Sequence, residues 1–301
     1  MFLVHNRQTA SRQQRRAGQQ GSLLCCPASE RSEEWRETMK QQHTDYQVVP
    51  YPEMRRLEAI AYRSVQHKSM MHGLLEVDVT RARAFLREYK ASTGESLSFT
   101  AFLIACLAKA VEEHKAVQAY RKGSKRLILF EDVDVYTPVE REVAGQKEIM
   151  PAIIRAANRK TLWEIHQEIR AAQVQDVAKA WEKFKIPHWP WLLLLPVFRL
   201  MVWMSERSPR LWKKYRGTVG ITAVGMFGKG VGWGIPLPSH SLWVTVGGIG
   251  EKPGVVDGQI AIREYLSLTI SFDHETIDGA PAARFTQRLK ELIESSYGLD
   301  D

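Results

Sequence analysis

The chain has 301 residues, of which 44% are hydrophobic and 25% charged, a composition that excludes a disordered or fibrous protein. Its formal net charge is +8, but residues 1–29 contain four arginines and no carboxylate, so half of the excess lies in one terminal stretch. Basic and aromatic residues do not interleave elsewhere as a nucleic-acid groove requires, so we expect no nucleic-acid partner.

The three cysteines predict neither a disulfide framework nor a metal site. Cys25 and Cys26 are adjacent near the N-terminus, whereas Cys106 lies in an apolar helical pattern that predicts a buried thiol. We therefore expect a reducing compartment, the cytoplasm, and no bound metal.

The N-terminal stretch is rich in Gln, Arg and Ser and has no periodic apolar pattern, so we predict a disordered basic tail over residues 1–45. It contains no apolar segment typical of a secretory signal. Two interpretations remain open, an organellar transit peptide or an extension upstream of a true start at Met39. Residues 46–301 are predicted to form one domain.

From Tyr51 onward, hydrophobic periodicity predicts helices and strands in mixed order, which favours a sheet covered by helices over a strict alternation of the two. Thr80 and Ser98 are the predicted N-caps of two successive helices. Asp257-Gly258 predicts a hairpin turn. The predicted helices cover residues 53–68, 80–91, 99–114, 161–184 and a last segment containing Pro281; the predicted strands cover 74–79, 126–130, 133–139, 150–154, a segment beginning at 217, 241–249 and 265–272.

An apolar stretch, residues 186–204, opens a predicted hydrophobic insertion at 186–214. Pro190, Pro196 and Arg199 interrupt it, and it is too broken to supply the roughly 20 apolar residues of a spanning helix. Two interpretations stay open: a surface helix lying on a membrane or a partner, or an insertion that packs on its own core or on a neighbouring subunit. The prolines argue against one continuous helix.

The stretch SFDHETIDGAPAARF places His274 and Asp278 on a turn between a period-two strand and a helix, where a rigid scaffold presents catalytic groups. A neutral imidazole is the usual general base near neutral pH, and a nearby carboxylate can orient it. A metal site using Asp273 as well, or a histidine that only caps the turn, are the alternatives.

This motif resembles the C-terminal signature of the dihydrolipoamide acyltransferase catalytic domain of 2-oxoacid dehydrogenase complexes, which chloramphenicol acetyltransferase shares. DVDVYTPVERE and GTVGITAVGMFG resemble further segments of that family, in the family's order, over about residues 50–297. The resemblance implies an α/β fold, a chloramphenicol acetyltransferase-like two-layer sandwich with a mixed β-sheet and helices on one face.

The resemblance also implies a transferase enzyme. His274 would remove a proton from the thiol of coenzyme A or of a dihydrolipoyl group, and Thr222 would stabilise the oxyanion formed when the thiolate attacks a thioester. Asp278 would hold the loop through a cation, with Arg63 and Gly279 as structural partners of the motif. Coenzyme A or acyl-CoA would be a substrate.

Family members form trimers with the active site between subunits, so a homotrimer or an assembly of trimers is expected, with His274 meeting Thr222 of a neighbour. Three features depart from the family: no lipoyl domain or lipoylation motif precedes the domain, Glu275 replaces an arginine, and the insertion is extra. A lipoyl or acyl carrier would then be a separate protein, and Glu275 would favour a protonated histidine. The alternative is an inactive trimeric scaffold or accessory subunit that docks a partner or, peripherally, a membrane through residues 186–214.

Overall fold

A computed structural model of the chain describes residues 59–60, 68–143, 146–174, 194–225, 228 and 230–299. All of these lie in one compact unit, Pro52–Asp301. The predicted tail at 1–45, most of the predicted helix at 53–68, and residues 175–193 lie outside the described ranges. The predicted division into a tail and one domain therefore stays a prediction.

The described elements follow the mixed order that the sequence predicts. The strands are β1 (Met70–Asp78), β2 (Tyr120–Lys122), β3 (Arg126–Ile128), β4 (Val135–Val143), β5 (Gln146–Ile154), β6 (Val219–Ala223), β7 (Leu242–Val256) and β8 (Gln259–Asp273). The helices are α1 (Thr80–Thr93), α2 (Phe99–Glu113), α3 (Leu162–Val174), α4 (Leu194–Arg207), α5 (Pro209–Arg216) and α6 (Gly279–Glu294).

Six strands form one mixed sheet in the order β1-β8-β7-β6-β4-β5, and β2 and β3 form a separate hairpin. Strand β6 runs parallel to β4 and β7, and the other pairs are antiparallel. Helices α1, α2, α3 and α6 contribute with one face of this sheet to a single buried apolar core. This confirms the predicted mixed α/β sandwich with helices on one face.

Strand β8 shows why the pattern of alternating residues places the core. Leu266, Leu268 and Ile270 are buried in the helix-covered core, as the period of two predicts. Ser267 and Thr269 are buried as well, but on the opposite face of the sheet. The sheet therefore carries an apolar face toward the helices and a hydroxyl-bearing face on its other side.

One predicted helix cap is confirmed and the other is wrong. The Ser98 hydroxyl accepts a hydrogen bond from the Ala101 N–H at 3.3 Å. Thr80 is the first residue of α1, and its N–H and hydroxyl donate to the Asp78 carboxylate at 2.9 and 2.6 Å. Although burial alone would raise it, hydrogen bonds from Thr80 and Arg263 lower the pKa of Asp78 below its usual value.

The expectation that prolines prevent one continuous helix over residues 186–204 stays a prediction, because the described part of this stretch begins at Leu194. Helix α4 is continuous from Leu194 to Arg207, and Pro196 lies in its first turn, where backbone N–H groups need no partner within the helix. Ser208 then caps α5, accepting from the Leu211 N–H at 3.4 Å.

Two smaller predictions are confirmed. Cys106 is buried in α2, and burial raises the pKa of its thiol. Asp257 and Gly258, with φ of 51° and 78°, form the tight turn between β7 and β8. The distal parts of those two strands, Gly250–Val256 and Gln259–Glu264, pair only with each other among the described strands, so the hairpin extends past the sheet.

Candidate active site

His274 lies on the short turn between β8 and α6, and its backbone is held by neighbouring strands. Its N–H donates to the Ser69 carbonyl at 2.8 Å, and the preceding Asp273 N–H donates to the Ser241 carbonyl at 2.9 Å. The imidazole itself is 54% exposed. A fixed backbone with an accessible ring suits a group that must meet a substrate.

Asp273 organises the turn from inside. Its side chain is 6% exposed; one carboxylate oxygen accepts from Lys68 Nζ at 2.9 Å and the other from the Glu275 N–H at 3.1 Å. Its carbonyl accepts from the N–H groups of Thr276 and Ile277, at 3.0 and 3.1 Å. This carboxylate shapes the loop; in the described part of the chain, no three His, Cys, Asp or Glu side chains group as metal ligands.

Glu275, the residue that reverses the usual charge beside the histidine, is paired with a cation from the separate hairpin. Arg121 Nη1 of β2 lies 2.8 Å from Glu275 Oε2, with the two side chains 54% and 33% exposed. Such a partly exposed pair contributes about 0.2–1 kcal/mol. The carboxylates on both sides of His274 are therefore neutralised, one by Lys68 and the other by Arg121.

Asp278 stands close to the imidazole without bonding to it. The distance from His274 Nδ1 to Asp278 Oδ1 is 4.0 Å, which is too long for a hydrogen bond, and the Asp278 side chain is 88% exposed. Asp278 occupies the N-cap position of α6 but makes no side-chain cap bond. Its charge still lies at the positive end of the helix dipole.

The contacts of the described residues do not account for the predicted structural roles of Arg63 and Gly279. Arg63 lies outside the described residues, so its pairing with Asp278 stays a prediction. Gly279 begins α6, and a Cβ built there meets no atom within 4 Å. Contacts within the described chain therefore do not explain why this position is glycine.

Thr222 lies on the hydroxyl-bearing face of the sheet. Its neighbours Val219 and Ile221 belong to the helix-covered core, so Gly220 and Thr222 point the other way. Thr222 pairs with Thr245 of β7, which pairs with Thr269 of β8. The buried hydroxyls of Thr245 and Thr269 have no hydrogen-bond partner among the described residues.

The same chain does not bring Thr222 and His274 together. Thr222 stands in the register row of Thr269, two strands away, and His274 follows Thr269 by five residues along β8. With about 3.3 Å per residue and about 4.8 Å between strands, the two backbones are separated by about 16 Å along the strands and about 10 Å across them.

A glycine-rich segment covers the sheet beside Thr222. Glycines of residues 230–234 lie directly on β7: a Cβ built at Gly248 would stand 1.9 Å from the Gly230 carbonyl oxygen. Trp233 Nε1 donates to the Leu75 carbonyl of β1 at 3.2 Å, which anchors the segment across the sheet. A cavity of about 220 Å³ lies between this segment and Gly247–Gly248, close to the row of threonines.

Sequence reasoning missed Lys68 and Arg121, which neutralise the residues flanking His274. No motif marks either one, because each pairs with a residue far away in the chain. The run of cations around Arg121 was the only available signal, and it indicates an exposed basic hairpin without naming a partner.

Comparison with known proteins identifies the family. The profile of the family described as 2-oxoacid dehydrogenases acyltransferase (catalytic domain) matches residues 43–181 and 213–299, which is more than half of the chain. The lipoamide acyltransferase component of the branched-chain alpha-keto acid dehydrogenase complex of Pseudomonas putida is 26% identical over 258 residues, covering 83% of this chain and 53% of that relative. The chain spans about half the length of the curated relatives it matches.

Solved structures show the same fold. The cubic core of the pyruvate dehydrogenase multienzyme complex superposes with a TM-score of 0.64 at 20% identity, covering 86% of this chain and 96% of that one. The dihydrolipoamide acetyltransferase of Azotobacter vinelandii gives a TM-score of 0.63 at 20% identity, with the same coverage. The chain therefore belongs to the family of 2-oxoacid dehydrogenase acyltransferase catalytic domains.

Proposed function

We propose that the chain is an acyltransferase that exchanges an acyl group between thioester and thiol, with coenzyme A as one of the thiols. One observation carries this proposal: His274 stands accessible on a rigid turn at the position of the family's histidine motif, with both flanking carboxylates neutralised. Lys68 and Arg121 thus offset the charge reversal at Glu275.

In the proposed reaction, His274 takes the proton of the attacking thiol. Because Nδ1 faces Asp278, Nε2 is the nitrogen left for this transfer. The thiolate adds to the thioester carbonyl, and the electron pair of the C=O bond becomes an oxyanion. When the tetrahedral adduct collapses, the C–S bond to the departing thiol breaks, and that sulfur receives the proton from His274. Atoms and charge balance without an oxidant or a metal.

Thr222 is proposed to donate its hydroxyl hydrogen to the oxyanion. The Azotobacter vinelandii structure was solved to examine the catalytic roles of one serine, one histidine and one asparagine. In that protein the serine precedes the histidine by 52 positions and the asparagine follows it by four. Thr222 and Asp278 stand at the same two offsets from His274. These offsets support Thr222 as the hydroxyl donor, and Asp278 has a carboxylate where the asparagine has an amide.

The separation of Thr222 from His274 means that this site requires a second copy of the chain. We infer a homotrimer in which His274 of one subunit meets Thr222 of the next. The extended β7–β8 hairpin supports this inference, because Val255, Ile260 and Ile262 on it are 76%, 80% and 74% exposed. Such an apolar projection fits a contact between subunits.

The acyl group is left open by this proposal. Relatives named as components of branched-chain alpha-keto acid, 2-oxoglutarate and pyruvate dehydrogenase complexes are 26%, 26% and 23% identical to this chain. We propose that a lipoyl or other acyl-carrier thiol comes from a separate protein. The cytoplasmic location stays a prediction.

The test measures turnover of acetyl-CoA with dihydrolipoamide, using release of the CoA thiol as the signal. Calorimetry measures the binding of CoA separately. His274→Ala should abolish turnover while leaving CoA bound, and Thr222→Ala should lower kcat by about 10²–10³, since one oxyanion donor is worth about that much. Thr222→Ser should restore most of the rate. His114→Gln, which alters a histidine packed against Phe285 outside the motif, is the matched control.

Absence of CoA binding at millimolar concentration would overturn the proposal. Binding of CoA without turnover of acetyl-, succinyl- or branched-chain acyl-CoA by a trimeric wild type would instead favour the inactive scaffold. Activity of a monomer would contradict the intersubunit site. Mixing His274→Ala with Thr222→Ala subunits provides the sharpest check, because only mixed trimers would regain an intact site.

A further inference from the structure

Helix α4 turns apolar side chains outward. Leu200, Met201, Trp203 and Met204 are 54%, 55%, 48% and 46% exposed, whereas the polar Ser205 is buried and its hydroxyl donates to the Val202 carbonyl. A helix at the surface of a soluble domain normally shows the opposite arrangement. The exposed side of α4 is thus built to contact something apolar.

Cations flank these apolar residues. Arg199 and Arg207 on α4 and Arg210 and Lys214 on α5 are exposed, and the Arg207 guanidinium lies 4.1 Å from the centre of the Trp203 ring. We call the four apolar residues and these four cations the α4–α5 face.

Carboxylates do not contribute to this face. Every side chain of α4 and α5 that the structure describes as exposed is apolar, aromatic or cationic. The one acidic residue of the two helices, Glu206, is half-buried and lies 3.7 Å from Arg216, and its carbonyl accepts from the Tyr120 hydroxyl. The face therefore combines exposed apolar area with charges that are all positive.

The shared architecture of the family does not account for this face. The family profile matches up to residue 181 and resumes at residue 213, so α4 and the first half of α5 lie in a stretch that it does not match. A two-fold contact of the face with itself would set four cations against the same four cations with no carboxylate to compensate them. Charge thus disfavours a two-fold contact of this face with the same face of a second copy.

We propose that the α4–α5 face binds the surface of an anionic phospholipid bilayer, with α4 lying along the interface. Apolar side chains that enter the headgroup region, a tryptophan at its depth and cations beside it are the components that such a surface recognises. No helix in the described ranges is long and apolar enough to cross a bilayer. The proposed contact does not depend on the proposed activity.

The test is co-sedimentation of the full chain with vesicles of phosphatidylcholine alone and of phosphatidylcholine mixed with phosphatidylglycerol, at low and at physiological salt. The wild type should bind the mixed vesicles and lose binding as salt rises. An Arg207→Gln, Arg210→Gln double variant should bind about 25-fold more weakly, at about fivefold for each cation. Trp203→Ser should weaken binding on the order of tenfold.

Two matched variants elsewhere serve as controls: Arg284→Gln removes an exposed cation of α6, and Ile149→Ser removes an apolar side chain that is 62% exposed on β5. Both should bind vesicles like the wild type. The proposal is overturned if the wild type does not bind anionic vesicles at low salt, if it binds phosphatidylcholine equally well, or if the controls weaken binding as much as the face variants. It is also overturned if Trp203→Ser reduces the assembly size in sedimentation velocity, since the face would then contact another copy.

Discussion

The buried His240 should make the folded protein sensitive to mild acid. Its side chain is 1% exposed, and Nε2 lies 2.7 Å from the Arg216 carbonyl oxygen, which carries no hydrogen, so Nε2 is the protonated nitrogen. Nδ1 then accepts from the Ser239 hydroxyl at 2.9 Å. Burial, reinforced by the charges of Arg216 and Lys68, lowers the pKa of His240 from 6.5 to about 3.

The sign and size of the effect follow from this pKa difference. In the unfolded chain the imidazole takes up a proton below about pH 6.5, whereas in the folded chain it stays neutral down to about pH 3. The stability that depends on the neutral ring is therefore complete above pH 6.5 and is lost progressively between the two values. At about 1.4 kcal/mol per pH unit, lowering the pH to about 5 costs about 2 kcal/mol.

Urea unfolding at pH 7 and pH 5 measures this loss, at one protein concentration because assembly shifts apparent stability. His240→Gln keeps an N–H for the Arg216 carbonyl but cannot be protonated. The free energy of unfolding of the wild type should fall about 2 kcal/mol more than that of His240→Gln. Ser239→Ala keeps the imidazole and should retain the acid sensitivity. Equal pH dependence of wild type and His240→Gln would refute the reasoning.

Two further predictions concern the loops around the candidate site. In a double-mutant cycle of Arg121→Gln and Glu275→Gln, the coupling in unfolding free energy should be about 0.2–1 kcal/mol. Arg121→Gln alone should lower turnover more than the double variant does, because it leaves Glu275 unpaired beside the catalytic turn. Additive effects of the two substitutions on turnover would contradict this role. Gly248→Ala should destabilise the protein by about 1–3 kcal/mol in thermal or urea unfolding, since its Cβ would collide with the Gly230 carbonyl. Gly228→Ala, where a Cβ meets no atom within 4 Å, should leave the stability nearly unchanged. An equally large loss of stability in Gly228→Ala would contradict the attribution of the Gly248→Ala effect to the close backbone approach.

Local patterns in the sequence were sufficient for much of the fold. The alternation of β8, the Ser98 cap and the apolar stripe of α6 each depend on residues that are neighbours in the chain. The capping rule failed where two residues could serve as the cap. Thr80 has a suitable side chain, but the Asp78 carboxylate accepts the hydrogen bond from the Thr80 N–H at the start of the helix. Pro196 does not break α4, because the effect of a proline depends on where the helix begins.

The sequence by itself determined the turn that carries His274, the strand that carries Thr222 and the family to which the chain belongs, because each depends on a short motif in a fixed order. Only the tertiary structure decided which charges surround the histidine. Lys68 and Arg121 pair with residues 205 and 154 positions away, and register alone separates Thr222 from His274 within one chain. Pairings of this kind arise from how strands and hairpins pack, and no periodicity along the chain encodes them.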